Sequence, residues 1–166
     1  KPKSLLEFVG TVKLLPATSR RFVAREKFVK IIGRRANVNI SYLGDNFQSW
    51  FLGKVEEAMP ETELRYAKLL KASCDEQIRA EIDFQFEEIA LSQIYALMEV
   101  QANGEKGALL TDGHANIFYV CDAAGVLRAV NVLWGGDGWS VDAHSVGYPS
   151  GWGEGYQVFS RNSLKP

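Results

Sequence analysis

Apolar and polar positions alternate at the start of the chain, where Leu6, Phe8, Val12 and Leu14 share one parity and Glu7, Thr11 and Lys13 the other. A period of two predicts a half-buried strand, and Pro16 ends it. The basic run over residues 19–35 fits two readings. Ala24, Phe28, Ile31 and Ile32 lie on one helical face, yet Phe28, Val29, Ile31 and Ile32 are also good strand formers. A helical turn running into a strand accommodates both. Residues 37–43 are rich in β-branched and aromatic side chains; the turn cluster Gly44-Asp45-Asn46 and then FQSWFL follow, which predicts a hairpin. Across residues 61–82, Leu64, Tyr66 and Leu70 share a parity, and Ser73-Cys74-Asp75 sits where a turn would go. Two strands are preferred there over one charged helix, and the choice stays open.

Leu91, Ile94, Tyr95, Met98 and Ala102 recur at i, i+3, i+4, i+7 and i+11, which predicts an amphipathic helix over 87–103. Glu87 and Glu88 suit its positive end, and Gly104 suits its stop. After Gly104 the period changes to two through ALLT, NIFYVCD, VLRAVNVLW, WSVDAHSV and YQVFSR, separated by short turns. Turns that short join neighbouring antiparallel strands. The expected fold is therefore α+β: a single domain over 1–166 with a β-rich N-terminal part (1–83), one amphipathic helix (87–103), and an antiparallel β-meander (108–162) packed on that helix.

Composition narrows the function classes. A chain of 166 residues with 46% hydrophobic and 23% charged content is long enough for one core and too apolar for disorder. No run approaches the roughly 18 apolar residues of a membrane span. Cys74 and Cys121 are isolated, which excludes a disulfide framework or a four-ligand zinc site and fits a reducing, cytoplasmic setting; a single bridge between them stays open. The start at Lys1-Pro2-Lys3, without methionine, leaves room for a targeting segment removed upstream. The near-neutral total hides a split: residues 1–54 carry 11 Lys/Arg against 3 Asp/Glu, and the remainder 8 against 17. In one domain such a split favours mutual attraction of the halves over a nucleic-acid-facing end.

The strings FVAREKFV, ISYLGDNF, LRYAKLL, ALMEVQANGE, ANIFYVCDAAGVLRAV, GGDGW and VFSRN span nearly the whole chain. Together they resemble a family of small hypothetical bacterial proteins. The resemblance implies no activity, ligand or catalytic residue.

Three constellations could carry chemistry. Trp134, Trp139, Tyr148, Trp152 and Tyr156 fall at or near loops of one end of the expected meander, and aromatics beside glycine-rich turns commonly build a binding surface. Arg20, Arg21, Arg25, Lys27, Lys30, Arg34 and Arg35 interleave with Phe22 and Phe28, which would offer phosphate contacts beside a stacking platform. Asp112 precedes His114 by two residues, and Asp142 precedes His144 likewise; on a strand, positions two apart face the same way, so Asp142 and His144 would form a carboxylate-oriented base. Neither cysteine has the cationic neighbours of a reactive thiol. No glycine loop has the phosphate-binding pattern, so no cofactor and no metal is expected. The first constellation ranks highest and predicts a non-enzymatic module that binds another protein. A nucleic-acid-associated protein using residues 20–35, and a small hydrolase or lyase using Asp142 and His144, are the alternatives. Partner identity and oligomeric state are not encoded in these patterns.

Overall fold

The computed structural model describes residues 4–14, 20–147 and 151–161. Its centre is a seven-stranded, mostly antiparallel sheet, so the protein is of mixed α+β class. In chain order the strands are β1 (Leu6–Leu14), β2 (Phe22–Val23), β3 (Ile40–Leu43), β4 (Val55–Glu56), β5 (Thr62–Leu69), β6 (Asn116–Cys121), β7 (Leu127–Trp134), β8 (Trp139–Ser145) and β9 (Gln157–Arg161). The helices are α1 (Ala24–Lys27), α2 (Asp45–Phe51), α3 (Asp75–Ile82) and α4 (Leu91–Val100), with a 3-10 turn at Phe84–Phe86. The large sheet runs β1-β5-β9-β6-β7-β8-β3, and β2 pairs with β4 separately.

Strands β6, β7 and β8 form an antiparallel meander. The next strand does not extend it at β8. Instead β9 crosses back to lie parallel to β6 and antiparallel to β5. The expected strand ALLT is absent as well. There Leu109 exchanges both backbone hydrogen bonds with the side chain of Gln101, which is only 1% exposed. At the far edge β3 joins β8 in parallel.

Two N-terminal expectations are corrected. FQSWFL is the helix α2, not a hairpin strand: a strand would bury Ser49 between Phe47 and Phe51, whereas one helical turn puts both rings on one face, stacked 5.2 Å apart, and leaves Ser49 exposed. Residues 61–82 are strand β5 followed by helix α3. Ser73-Cys74-Asp75 marks a helix start, where the Cys74 N–H donates to Gln77 Oε1 at 3.0 Å. In the basic run, two strand residues and the single turn α1 precede an isolated bridge of Ile31 to Ile40.

Helix α4 starts four residues later than Glu87. Ile89 donates its N–H to the Tyr119 carbonyl beside β6, and the Glu56 carboxylate accepts from the N–H groups of Leu91 and Ser92, both at 2.9 Å. A carboxylate from β4 thus satisfies the free amides of the first turn and fixes the start. The helix stops at Val100 with Gln101 as its cap, ahead of the expected Gly104; Gly104, at φ 74°, lies in the turn that follows, where the Trp134 indole packs so closely that a Cβ would lie 2.3 Å from the ring.

One face of the sheet packs on α4, α2 and α1 through Phe28, Phe47, Phe51, Leu97, Phe118 and Val130. The other carries a smaller core of Leu69, Ile78 of α3, Ile117, Tyr119, Ala129 and Val158, edged by Trp152 and Tyr156.

Candidate functional site

Residues 151–156, just ahead of β9, are held by backbone pairing. Trp152 and Ser73 exchange N–H to O bonds of 2.8 and 3.1 Å, Gly155 donates to the Leu69 carbonyl, and Leu69 donates to the Tyr156 carbonyl. Such close approach needs glycine: a Cβ on Gly151 would lie 3.2 Å from the Ser73 oxygen, and one on Gly155, at φ 87°, would lie 3.0 Å from His114 Nε2. Alternating glycines therefore let the side chains of Trp152 and Tyr156 project from a pinned backbone.

Those side chains continue a row. His114 meets Tyr156 with ring centroids 5.9 Å apart, Tyr156 meets Trp152 at 6.2 Å, and Trp152 meets His144 at 6.0 Å. The interplanar angles of 79°, 51° and 61° make a furrowed surface rather than a flat one. All four rings are partly exposed. Both histidines of the protein lie in this row, on either side of the two aromatic residues.

Beneath it sits Asp75, which is 2% exposed. Its Oδ1 accepts from the Tyr119 hydroxyl and from the Trp152 indole N–H, each at 2.7 Å. Burial pushes the Asp75 carboxyl above its ordinary range, against the pull of these two donors and of the more distant Arg79 and His144. Arg79 is itself engaged by Glu87 through bonds of 2.7 and 3.0 Å. Burial and the neighbouring carboxyl also push the Tyr119 phenol up, so it stays a donor.

Of the five aromatic residues singled out in the sequence, the four described ones are divided between the two faces. Trp139 is fully buried in the larger core, donates its indole N–H to the Gln101 carbonyl at 2.9 Å, and meets Trp134 edge to face at 5.2 Å. Trp152 and Tyr156 belong to the opposite face, and Tyr148 lies outside the described residues. Asp142 and His144 face the same side of β8 but turn to different neighbours. Asp142 lies against Gly44 of the β3 edge and accepts from the Ala143 N–H, whereas His144 lies against Trp152. Asp112 stays with its histidine, Oδ1 to Nδ1 at 3.0 Å; burial opposes ionisation there, but the His114 contacts hold its carboxyl below the usual range.

In the basic segment, Phe22 and Phe28 are 4% and 2% exposed and pack edge to face in the larger core with Tyr95 and Phe47. They are not available for base stacking. Arg20, Arg21, Arg25, Lys30, Arg34 and Arg35 are exposed, and Lys27 lies 5.9 Å from the Tyr95 ring. Cys74 and Cys121 are free thiols, and burial together with Glu88 pushes the Cys121 thiol up, away from reactivity. Among the described residues no group of three or more His, Cys, Asp and Glu is placed to hold a metal, and no helix is long and apolar enough to cross a membrane.

Sequence reasoning missed Asp75 and Tyr119. The available signal was an aspartate directly after a helix-capping position, and a tyrosine on the inward parity of an otherwise aliphatic strand face. Compared with known proteins, the chain matches no family model, no curated protein and no solved structure. Its own residues are the whole basis for a functional reading.

Proposed function

We propose that this protein is a non-enzymatic binding module that recognises a segment of another protein through the row His114, Tyr156, Trp152 and His144. The observation that carries this reading is the continuity of four partly exposed rings, the central two of them, Trp152 and Tyr156, on a backbone pinned to Ser73 and Leu69. Aromatic rings supply large contact area with few rotatable bonds, and a row already held in place spends little ordering entropy on binding. Asp75 has a positioning role: by accepting the Trp152 indole N–H it sets the tilt of the central ring. The acid–base reading of Asp142 and His144 has less support, because their side chains engage separate neighbours.

Selection of displayed random peptides on the immobilised full chain tests the proposal. A recurrent peptide motif should emerge, and Trp152→Ala or Tyr156→Ala should weaken its binding at least about tenfold, the range of an aromatic anchor. Arg25→Ala, on the opposite face, should leave it unchanged. A motif bound equally well by both ring variants would remove the proposal.

A further inference from the structure

A second feature of the smaller-core face lies away from the ring row. A cavity of about 260 Å³ opens between the β1–β5–β9 end of the sheet and the turn after α3, with apolar walls from Leu6, Phe8, Ile82, Phe86 and Val158. Arg65 of β5 and Arg161 of β9 also line it. Among the described residues neither arginine has a carboxylate partner within ion-pair distance. Arg65 lies over the Phe8 ring, 4.8 Å from its centre. Arg161 gives one guanidinium N–H to the Gln85 carbonyl, while its Nε is buried with no hydrogen-bond partner.

A buried donor without a partner is costly, and native structures leave few of them, so the Nε group calls for an acceptor that none of the described residues supplies. Among the described residues the one carboxylate in the cavity wall, Glu81, is already engaged: its Oε2 accepts from the Ser4 hydroxyl and from the N–H groups of Leu5 and Leu6. Two guanidinium groups against one carboxylate leave the wall net positive. The Ser160 hydroxyl adds a further polar group.

We propose that this cavity binds a compact organic carboxylate with an apolar body, its carboxylate on Arg161 and Arg65 and its body against Phe8, Phe86 and Val158. Planar guanidinium forks match a carboxylate, and the apolar walls favour an amphiphile over a bare inorganic anion. The volume falls just below the roughly 300–1,000 Å³ of drug-sized sites, which suits a small acid and is too tight for a nucleotide. The same chemistry is offered by a free acid and by the C-terminal carboxylate of a peptide ending in an apolar residue.

The test is an amide-resolved NMR titration of the full chain with benzoate, phenylacetate and N-acetylphenylalanine, alongside benzyl alcohol and inorganic phosphate. The carboxylates should give saturable shifts centred on Leu6, Ile82, Phe86 and Ser160, and benzyl alcohol should bind at least about tenfold more weakly, the worth of a charge-assisted bond. Arg65→Gln and Arg161→Gln should each weaken the carboxylates by a similar factor, with Arg161→Lys only partly restoring them. If Arg161→Gln fails to fold, Arg65→Gln and the carboxylate-to-alcohol ratio of the unaltered chain decide the question. Tighter binding of N-acetylphenylalanine than of phenylacetate assigns the site to a chain terminus, and the reverse order assigns it to a free acid. No saturable shift from any carboxylate, equal binding of benzyl alcohol, or phosphate matching benzoate would overturn the proposal.

Discussion

Two aspartates, Asp75 and Asp122, are 2% and 4% exposed, yet their surroundings push them in opposite directions. Asp122 closes the turn between β6 and β7. Its Oδ1 accepts from the N–H groups of Ala124 and Val126, its Oδ2 accepts from Arg128 Nε, and all three distances are 2.9 Å. Burial alone would raise its carboxyl, but those amides and the guanidinium outweigh it and hold the group below the usual range. Among the described residues Asp75 is met by a phenol and an indole on a single oxygen, and by no bonded cation. For Asp75 burial wins. A carboxylate surrounded by backbone amides and an arginine fastens a hairpin. One given only two neutral donors, beneath a row of partly exposed rings, orients a side chain that faces outward.

The largest effect should come from Asp122→Ala, which strips acceptors from two backbone amides and leaves Arg128 unpaired. A loss of about 3 kcal/mol in urea unfolding is expected, in line with breaking a buried ion pair. Asp75→Ala should follow at about 2 kcal/mol, because it orphans the Tyr119 hydroxyl and the Trp152 indole N–H. Equal losses for the two would erase the distinction drawn between the sites. Trp152→Phe removes one donor and keeps a ring; it should cost about 1 kcal/mol and raise the Asp75 carboxyl further. The smallest change belongs to Asp75→Asn, which keeps an acceptor for both donors and removes the buried charge. At neutral pH it should be neutral or slightly stabilising.

The two aspartates should also leave opposite signatures on stability against pH. The folded-state pKa of Asp122 lies below its unfolded value of about 3.9, so its contribution is complete above that value and is lost as acid is added through the folded pKa. For Asp75 the folded value lies above about 3.9. Its contribution is greatest in acid, declines as pH rises toward the folded pKa, and is flat beyond it. Asp75→Asn should abolish the second slope and keep the first; a profile unchanged by that substitution would contradict the assignment.

The same contrast shows what the sequence can convey. The alternation at β8 was readable because that strand buries one parity, whereas β6 and β7 were readable as strands from their β-branched and aromatic runs, since both bury residues on the two faces of the sheet. Helix α2 was not, since Phe47 and Phe51 are compatible with both periods and only the exposed Ser49 separates them. The start of α4 depends on Glu56, 35 residues before Leu91, which no local pattern reveals. For the site, each histidine was legible as a candidate beside its aspartate. The merger of both with Trp152 and Tyr156 was hidden, because it requires β9 to return beside β6. The same crossing separates Trp152 from Trp134 and Trp139, which neighbouring loops would have grouped together.

The indole N–H resonance of Trp152 offers the most direct test, read in the full chain during titration with a peptide selected on it. The account predicts a saturable shift there, accompanied by His114, His144 and Tyr156, while the indole of the buried Trp139 stays still. Shifts gathered instead on the exposed arginines of residues 20–35, with Trp152 unmoved, would contradict it.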